Sequence, residues 1–250
     1  MHILTSPAFY LVAVPAVLLT GISKGGFAGA LGVLAVPLLA LAVPVPQAAS
    51  IMLPILCMMD LFGWWNFRKS WDGPLILAML PGTLLGLGLG WLLFTRLDNR
   101  MIVLVTGALA AGFAVIRLVS SSNGGRALLP DRLRAWLWTT LSGCTTLLAH
   151  AGGPPVLVYV APKGLDKTTL VATLTFYFAL VNYLKLIPFG LMGQLDGRNL
   201  GTALVLSPLV PLGVYLGLWL HRRVNERLFF RLFYLLLLAT GIQLIWEGIR

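Results

Sequence analysis

The chain has 250 residues, 58% of them hydrophobic and only 10% charged, where soluble domains carry roughly 45–50% and about 25%. Such a composition excludes a soluble globule and reads as a polytopic membrane protein, to which soluble-domain length arithmetic does not apply. The net charge of +10 comes from short basic runs between long apolar stretches, which marks topology signals and lipid-headgroup contacts and argues against nucleic-acid binding.

The N-terminal Met-His-Ile-Leu-Thr-Ser-Pro lacks a positive n-region and a small-residue cleavage site, so no removable signal peptide is expected. A spanning helix needs about 20 apolar residues. Apolar segments fall at 3–20, 27–43, 46–66, 74–95, 101–119, 133–149, 154–162, 168–193, 199–220 and 228–247. The seventh is too short to span, which predicts a broken or re-entrant helix lining a cavity. Cys57 and Cys144 lie inside these segments without metal or redox spacing, which excludes a disulfide framework.

The two halves of the chain look alike. Pro81-Gly-Thr-Leu-Leu-Gly-Leu-Gly resembles Pro211-Leu-Gly-Val-Tyr-Leu-Gly-Leu, and each precedes a charged turn and a final apolar helix. Lys24-Gly-Gly and His150-Ala-Gly-Gly occupy corresponding breaks. The expected organisation is a first membrane repeat over 1–120, a cytoplasmic linker over 121–132 and a second membrane repeat over 133–250. About five segments per half is an odd number, so the copies are expected to be inverted. Placing loops 67–73, 119–134, 162–168 and 221–227 in the cytosol leaves only Arg96, Arg100, Arg198 and Arg250 opposite, which favours N-out and C-out. The expected fold class is therefore all-α and polytopic, with two inverted repeats of broken or re-entrant helix pairs and about eight to ten segments in total.

Both breaks carry chemistry. In Gly21-Ile-Ser-Lys-Gly-Gly26, glycines free backbone N–H groups and Lys24 adds charge, which suits an anion; the plainer reading is a tight turn with Lys24 facing the cytosol. In Ala149-His-Ala-Gly-Gly-Pro-Pro155, Pro154 and Pro155 suit a helix start, and Ser142, Thr145 and Thr146 supply hydroxyls just before it. Histidine at membrane depth marks a substrate or proton path, against the plainer reading that His150 bonds a neighbouring helix. Lys185, three residues after Asn182, costs around 2.5–3.5 kcal/mol unpaired in mid-membrane, unless it snorkels to an interface. Asp60 and Gln47 are the other intramembrane polar groups, and Asp60 either pairs with a lysine or takes protons. The expected substrate-binding set is Ser23, Lys24, Gly25, Gly26, Thr145, Thr146, His150, Gly152, Gly153, Asn182 and Lys185, with His150 and Asp60 as proton-coupling groups. Gly82-Thr-Leu-Leu-Gly86 and Gly213-Val-Tyr-Leu-Gly217 read as helix-packing patterns, and Trp64, Trp65, Trp71 and Trp91 as interfacial anchors.

The chain resembles the TauE/SafE-type anion permeases, also called the toluene-sulfonate uptake permease family, along nearly its whole length. The resemblance rests on Gly21-Ile-Ser-Lys-Gly-Gly-Phe, Pro37-Leu-Leu-Ala-Leu, Pro46-Gln-Ala-Ala, Leu53-Pro54 with Asp60, His150-Ala-Gly-Gly-Pro-Pro, Ala172-Thr-Leu-Thr-Phe and Asn182-Tyr-Leu-Lys. It implies an inner-membrane transporter of small organosulfur or related anions such as sulfite, sulfonates or sulfoacetate, in sulfur metabolism, with direction open.

The chain lacks the nucleotide-binding motif G-x-x-x-x-G-K-[ST], so a secondary transporter working by alternating access is expected, with proton coupling as an option. No cofactor, metal or nucleic acid is expected. The partners are the anion and lipid, and a homodimer is compatible with such a chain. A passive anion channel is the main alternative. An intramembrane serine protease using Ser23 and His150 is a distant one, since Gly21-Ile-Ser23-Lys-Gly25 fits G-x-S-x-G without the strand-to-helix context the nucleophile elbow needs.

Overall fold

The computed structural model describes residues 4, 6–26, 32–68, 70–119, 130–221 and 226–250. They form eleven α-helices: α1 Pro7–Gly26, α2 Ala35–Ala40 after a 3₁₀ turn, α3 Val45–Phe67, α4 Gly73–Arg96, α5 Asn99–Val119, α6 Asp131–Ala149, α7 Gly153–Val160, α8 Lys167–Leu191, α9 Gly197–Leu206, α10 Leu209–His221 and α11 Glu226–Ile249. There is no strand among the described residues, as bilayer spanning without a closed barrel requires. Five helices are long and apolar enough to cross a membrane, and the bent pair α9 and α10 makes up to six. Leu11, Leu77, Ile187, Leu204 and Tyr215 are each more than 60% exposed, as side chains turned to lipid are.

Aspartates outside the apolar runs start several helices. Asp72 accepts from Leu75 N at 3.0 Å, Asp98 from Met101 N at 2.7 Å and Asp196 from Asn199 N at 2.7 Å. Asp166 takes Thr168 N at 3.0 Å and Thr169 N at 3.1 Å. Each bond satisfies an orphan amide that hydrocarbon could not. Asp60 starts no helix; it lies inside α3.

Glycine contacts give the helix directions. A Cβ built on Gly82 of α4 would lie 2.6 Å from Trp136 O, one on Gly86 2.9 Å from Gly143 Cα and one on Gly90 3.0 Å from Cys144 O. The numbers rise together, so α4 and α6 run parallel. The pair α1 and α10 repeats this, with Gly21 against Gly213 and Gly217 against Ile22, each at 2.8 Å. By contrast, Gly248 meets Leu104 and Gly241 meets Ala111, both at 2.6 Å, so α11 runs antiparallel to α5. Gly63 meets Thr175 at 2.6 Å while Asp60 meets Asn182, so α8 runs antiparallel to α3.

Two five-part units related by a two-fold axis across the helices, as the inverted halves are expected to be, require such a pattern. The contact of α1 with α10 mirrors that of α6 with α4, and α3 with α8 and α5 with α11 are self-paired. Asp60 and Asn182 each stand fifteen residues after the first residue of their helices, so they are equivalent positions meeting at that axis. The lysines do not obey the symmetry. Gly25 and Gly143 make matching contacts with Val214 and Thr83, which puts Lys24 opposite Ser142, and the same register puts Lys185 opposite Gly63.

Lys24 near the end of α1 pairs with Asp60 in the last third of α3, so α1 and α3 run the same way. It follows that α1, α3, α5 and α10 end on one face, where α4, α6, α8 and α11 begin. Arg68, Arg132, Arg134 and Lys163 gather there, and Arg96, Arg100, Arg198 and Arg250 at the other. Cation–π contacts of Arg68 with Trp65 at 4.8 Å, and of Arg250 with Trp246 at 4.7 Å, mark both interfaces. Residues 121–129 of the expected linker, Lys69, Arg222 and Arg223 lie outside the described residues.

Two expectations are corrected. The segment 199–220 is not one helix: α9 and α10 meet at 46° with a break after Leu206. The first break does not contain Gly21–Gly26, which are helical to the end of α1. The reason is packing: Gly21 and Gly25 let α1 press on α10, where a Cβ at Gly25 would come 3.0 Å from Val214 C. Their amides serve the helix ladder rather than a free loop. Residues 27–31 lie outside the described residues.

Candidate functional site

The second break is fully described. α6 ends at Ala149, and His150 follows in the left-handed conformation, φ 52° and ψ 27°. Histidine tolerates that region better than most side chains. His150 N donates to Thr146 O at 3.0 Å and Ala151 N to Thr145 O at 3.2 Å, closing the helix end. Hydroxyls of α6 then hold the break's carbonyls: Ser142 Oγ donates to Gly152 O at 2.8 Å and Thr145 Oγ1 to Ala151 O at 3.1 Å. Pro154 and Pro155 have no N–H, so Gly152 and Gly153 carry the first amides at the positive end of α7.

The turn aims the His150 ring into the bundle. Lys185 of α8 is fully buried. Its Nζ lies 2.6 Å from His150 Nδ1, 3.2 Å from Thr146 Oγ1 and 3.3 Å from Thr146 O. An ammonium has three donors and no acceptor, so Nδ1 accepts. The other ring nitrogen, Nε2, then carries the proton and donates to Ala49 O at 2.9 Å. All three contacts of Lys185 are neutral acceptors. Further relief comes from the negative end of the α6 dipole and, at longer range, from the Asp60 carboxylate.

A second cluster sits toward the basic-loop face. Lys24 forms an ion pair with Asp60 Oδ1, and Asn182 Nδ2 donates to Asp60 Oδ2 at 2.7 Å. Asp60 is 1% exposed and the Lys24 side chain 12%. Asp60 therefore forms its ion pair with Lys24 and reaches Lys185 only at longer range. Asn182 and Lys185 are adjacent on α8, about 4.5 Å apart along its axis, so the two clusters form one continuous polar chain. Beside Lys24 and Asp60 runs a narrow cleft of about 10 Å³, one water in size, lined by Met59, Gly63, Phe67, Leu174, Thr175, Phe178, Val214 and Leu218. Its residues lead from Asp60 to the end of α3, so it points to the face of the basic loops.

The structure thus brings Lys24, Asp60, Asn182, Lys185, His150 and Thr146 together. Thr145, Gly152 and Gly153 support them from the break. Ser23 is fully buried on the last turn of α1. Gln47 lies apart: it donates to Asn199 at 3.2 Å, in a cluster with Ser50 and Gln194 at the opposite face. Sequence reasoning missed the Ala49 carbonyl, which no side-chain pattern announces, and the buried Tyr177–Thr83 hydroxyl pair at 2.7 Å. Since Lys185 and Ala49 occupy both nitrogens of His150, the ring offers no base to a serine nucleophile.

The family model described as sulfite exporter TauE/SafE matches residues 13–244. No curated protein and no solved structure matches. The matched span takes in every residue of both clusters, from Lys24 on α1 to Lys185 on α8, and the chain belongs to the TauE/SafE sulfite exporter family, whose members are membrane transporters.

Proposed function

We propose that the protein is a secondary transporter that moves sulfite or a related organosulfur anion across the inner membrane by alternating access, with Lys185 as the group that holds the anion. The observation that carries this reading is a fully buried lysine whose hydrogen-bond partners are all neutral and which forms no ion pair of its own. Burying a cation without a counter-charge costs several kcal/mol, and a substrate anion supplies what the protein withholds. His150 and Thr146 aim the ammonium, while the Gly152 and Gly153 amides at the start of α7 face the same break and complement an oxyanion. The rest of the expected set supports this centre: Thr145 braces the break, and Ser23, Gly25 and Gly26 fix the last turn of α1 that presents Lys24.

The two-fold relation of the halves suits rocking of one against the other about the Asp60–Asn182 contact. The test is binding and flux of radiolabelled sulfite with purified protein in detergent and in liposomes. Wild type should bind and transport, and Lys185→Met should do neither while remaining monodisperse. Wild-type flux in Lys185→Met sinks the assignment. Accumulation above equilibrium under an imposed gradient, collapsed by an ionophore, distinguishes a transporter from a channel.

A further inference from the structure

The cleft beside Lys24 meets the Lys24–Asp60 pair before it reaches Lys185. On α8 the cleft stops at Phe178, one helical turn short of Asn182, and Lys185 lies beyond. An anion arriving from the basic-loop face therefore finds its first cation already occupied by a carboxylate. We infer that the anion held by Lys185 also engages Lys24, that Asp60 is a tethered competitor for it there, and that Asp60 yields the lysine by taking up one proton, so that each anion enters together with one proton.

The charge balance leads there. In the structure the pair is neutral and Asp60 is buried at 1% exposure. If an anion took Lys24 while Asp60 stayed ionised, a carboxylate would be left without its cation in a dry site, a change that costs several kcal/mol. If Asp60 instead binds a proton from the cleft water, the products are a lysine–anion pair and a neutral acid. Net charge in the site is again zero. One O–H bond forms on Asp60, and nothing else is made or broken. The reverse step at the other face releases the anion and the proton.

Asn182 is suited to both states. It donates Nδ2–H to the carboxylate at 2.7 Å, and its amide oxygen can accept the O–H of the acid after rotation, since the side chain carries donors and an acceptor. A lysine or arginine there would lock Asp60 ionised. The charged and titratable groups around Asp60 are few. α1 presents Lys24, α3 carries Cys57 one turn away, and α8 presents Asn182, Tyr183, whose hydroxyl donates to Cys57 O at 3.4 Å, and, one turn further, Lys185 with His150 behind it. α10 offers only Val214 and Leu218 to the cleft.

This inference rests on the transporter reading, and the experiment separates the two. Sulfite binding to purified protein is measured by calorimetry across pH for wild type, Asp60→Asn and Asp60→Glu. By linkage, a proton taken up with the anion changes Kd tenfold per pH unit. The slope of log Kd against pH should be steeper by one in wild type than in Asp60→Asn, whichever protonation state of sulfite binds. Asp60→Asn should also bind more tightly at alkaline pH, because the competitor is gone. Asp60→Glu should retain the wild-type slope, which guards against a folding defect in the amide variant. Equal slopes in wild type and Asp60→Asn overturn the inference and leave the transporter reading intact. Absence of sulfite binding in wild type, or full binding in Lys185→Met, overturns the transporter reading instead.

Discussion

Lys185 Nζ lies 2.6 Å from His150 Nδ1, and the same ring holds Ala49 O at 2.9 Å through Nε2. One imidazole thus joins α8, the end of α6 and the second turn of α3. A buried lysine kept for its charge should leave a particular signature. Replacing a buried charge with an apolar side chain of similar shape is often neutral or stabilising, by about 1–4 kcal/mol. Lys185→Met should therefore unfold no earlier than wild type in a detergent thermal scan while losing sulfite binding. A large loss of stability would make Lys185 a structural strut.

His150 should behave in the opposite way. Truncation leaves one lysine donor unmet in a dry interior, costing about 1–3 kcal/mol, and removes the ring's bond to the Ala49 carbonyl, which keeps its helix-ladder partner. His150→Ala should be clearly destabilised. His150→Asn should lose less, because asparagine accepts the left-handed backbone that alanine resists. Thermal unfolding of the two variants side by side checks this; the reverse order would show that the turn geometry does not matter.

Much of this was legible in the sequence because hydrocarbon leaves few options. A lysine, an aspartate and a histidine inside apolar segments name themselves, and Pro154-Pro155 after two glycines marks a helix start. The pairing of charges was not legible. Asp60 stands within reach of two lysines in the sequence argument, and only the packing of the helices in three dimensions gives it to Lys24. Gly21 and Gly25 were misread for a related reason: a glycine that frees a loop and one that admits a neighbouring helix look the same until the neighbour, α10, is known. The break after Leu206 escaped because Ser207-Pro208 lies in an otherwise unbroken apolar run.

Helix directions place loop 68–72 and loop 164–166 on the same face and the C-terminus on the other. Reporter tags at residues 70 and 165 should give one compartment and a tag after Arg250 the opposite one. From the excess of basic residues at the first face, the tags at 70 and 165 should report the cytosol. Tags at 70 and 165 reporting opposite compartments would break the two-fold arrangement.

At the basic-loop face, Asp131 holds Lys163 at 2.5 Å and Tyr159 OH at 3.1 Å, fastening the start of α6 to the end of α7. The hydrogen bond from Lys163 draws the Asp131 carboxyl below its ordinary value of 3.8. For Lys163, burial pulls the ammonium down, but its bonds to Asp131 and Tyr159 outweigh that and leave it above 10.5. A depressed carboxyl contributes stability above 3.8 that fades as pH falls through its folded value. A raised amine contributes below 10.5 and fades as pH rises beyond it. The fastening should thus be constant between those limits. Both groups are substantially exposed, so solvent screening keeps its worth under about 1 kcal/mol. Asp131→Asn should shift unfolding only slightly at neutral pH and remove the acid-side fade; an unchanged acid limb would show that the pair contributes nothing.

The last prediction concerns the glycines that carry the two-fold packing. A Cβ at Gly86 would meet Thr140 C at 2.8 Å and Gly143 Cα at 2.9 Å, and one at Gly217 would meet Ile22 Cα at 2.8 Å. Real Cβ atoms almost never come within 3.0 Å of a neighbour, and the obstacle is backbone in both places, so no rotamer change relieves it. The helices must separate, and separation forfeits dispersion contacts along the whole crossing, the main force holding helices together in lipid. Overpacking of this kind costs typically 1–3 kcal/mol. Gly86→Leu and Gly217→Leu should therefore each lower thermal stability by at least that much. Because α4–α6 and α1–α10 are equivalent crossings, the two losses should be similar in size. In folded Gly86→Leu protein the affinity for sulfite should stay near wild type, since Gly86 packs on Thr140 and Gly143 and touches none of Lys24, Asp60 and Lys185. Gly88 is the internal control: it has nothing within 4 Å, so Gly88→Leu on the same helix should cost far less. Comparable losses at Gly86 and Gly88 would mean that close backbone approach is not what these glycines provide.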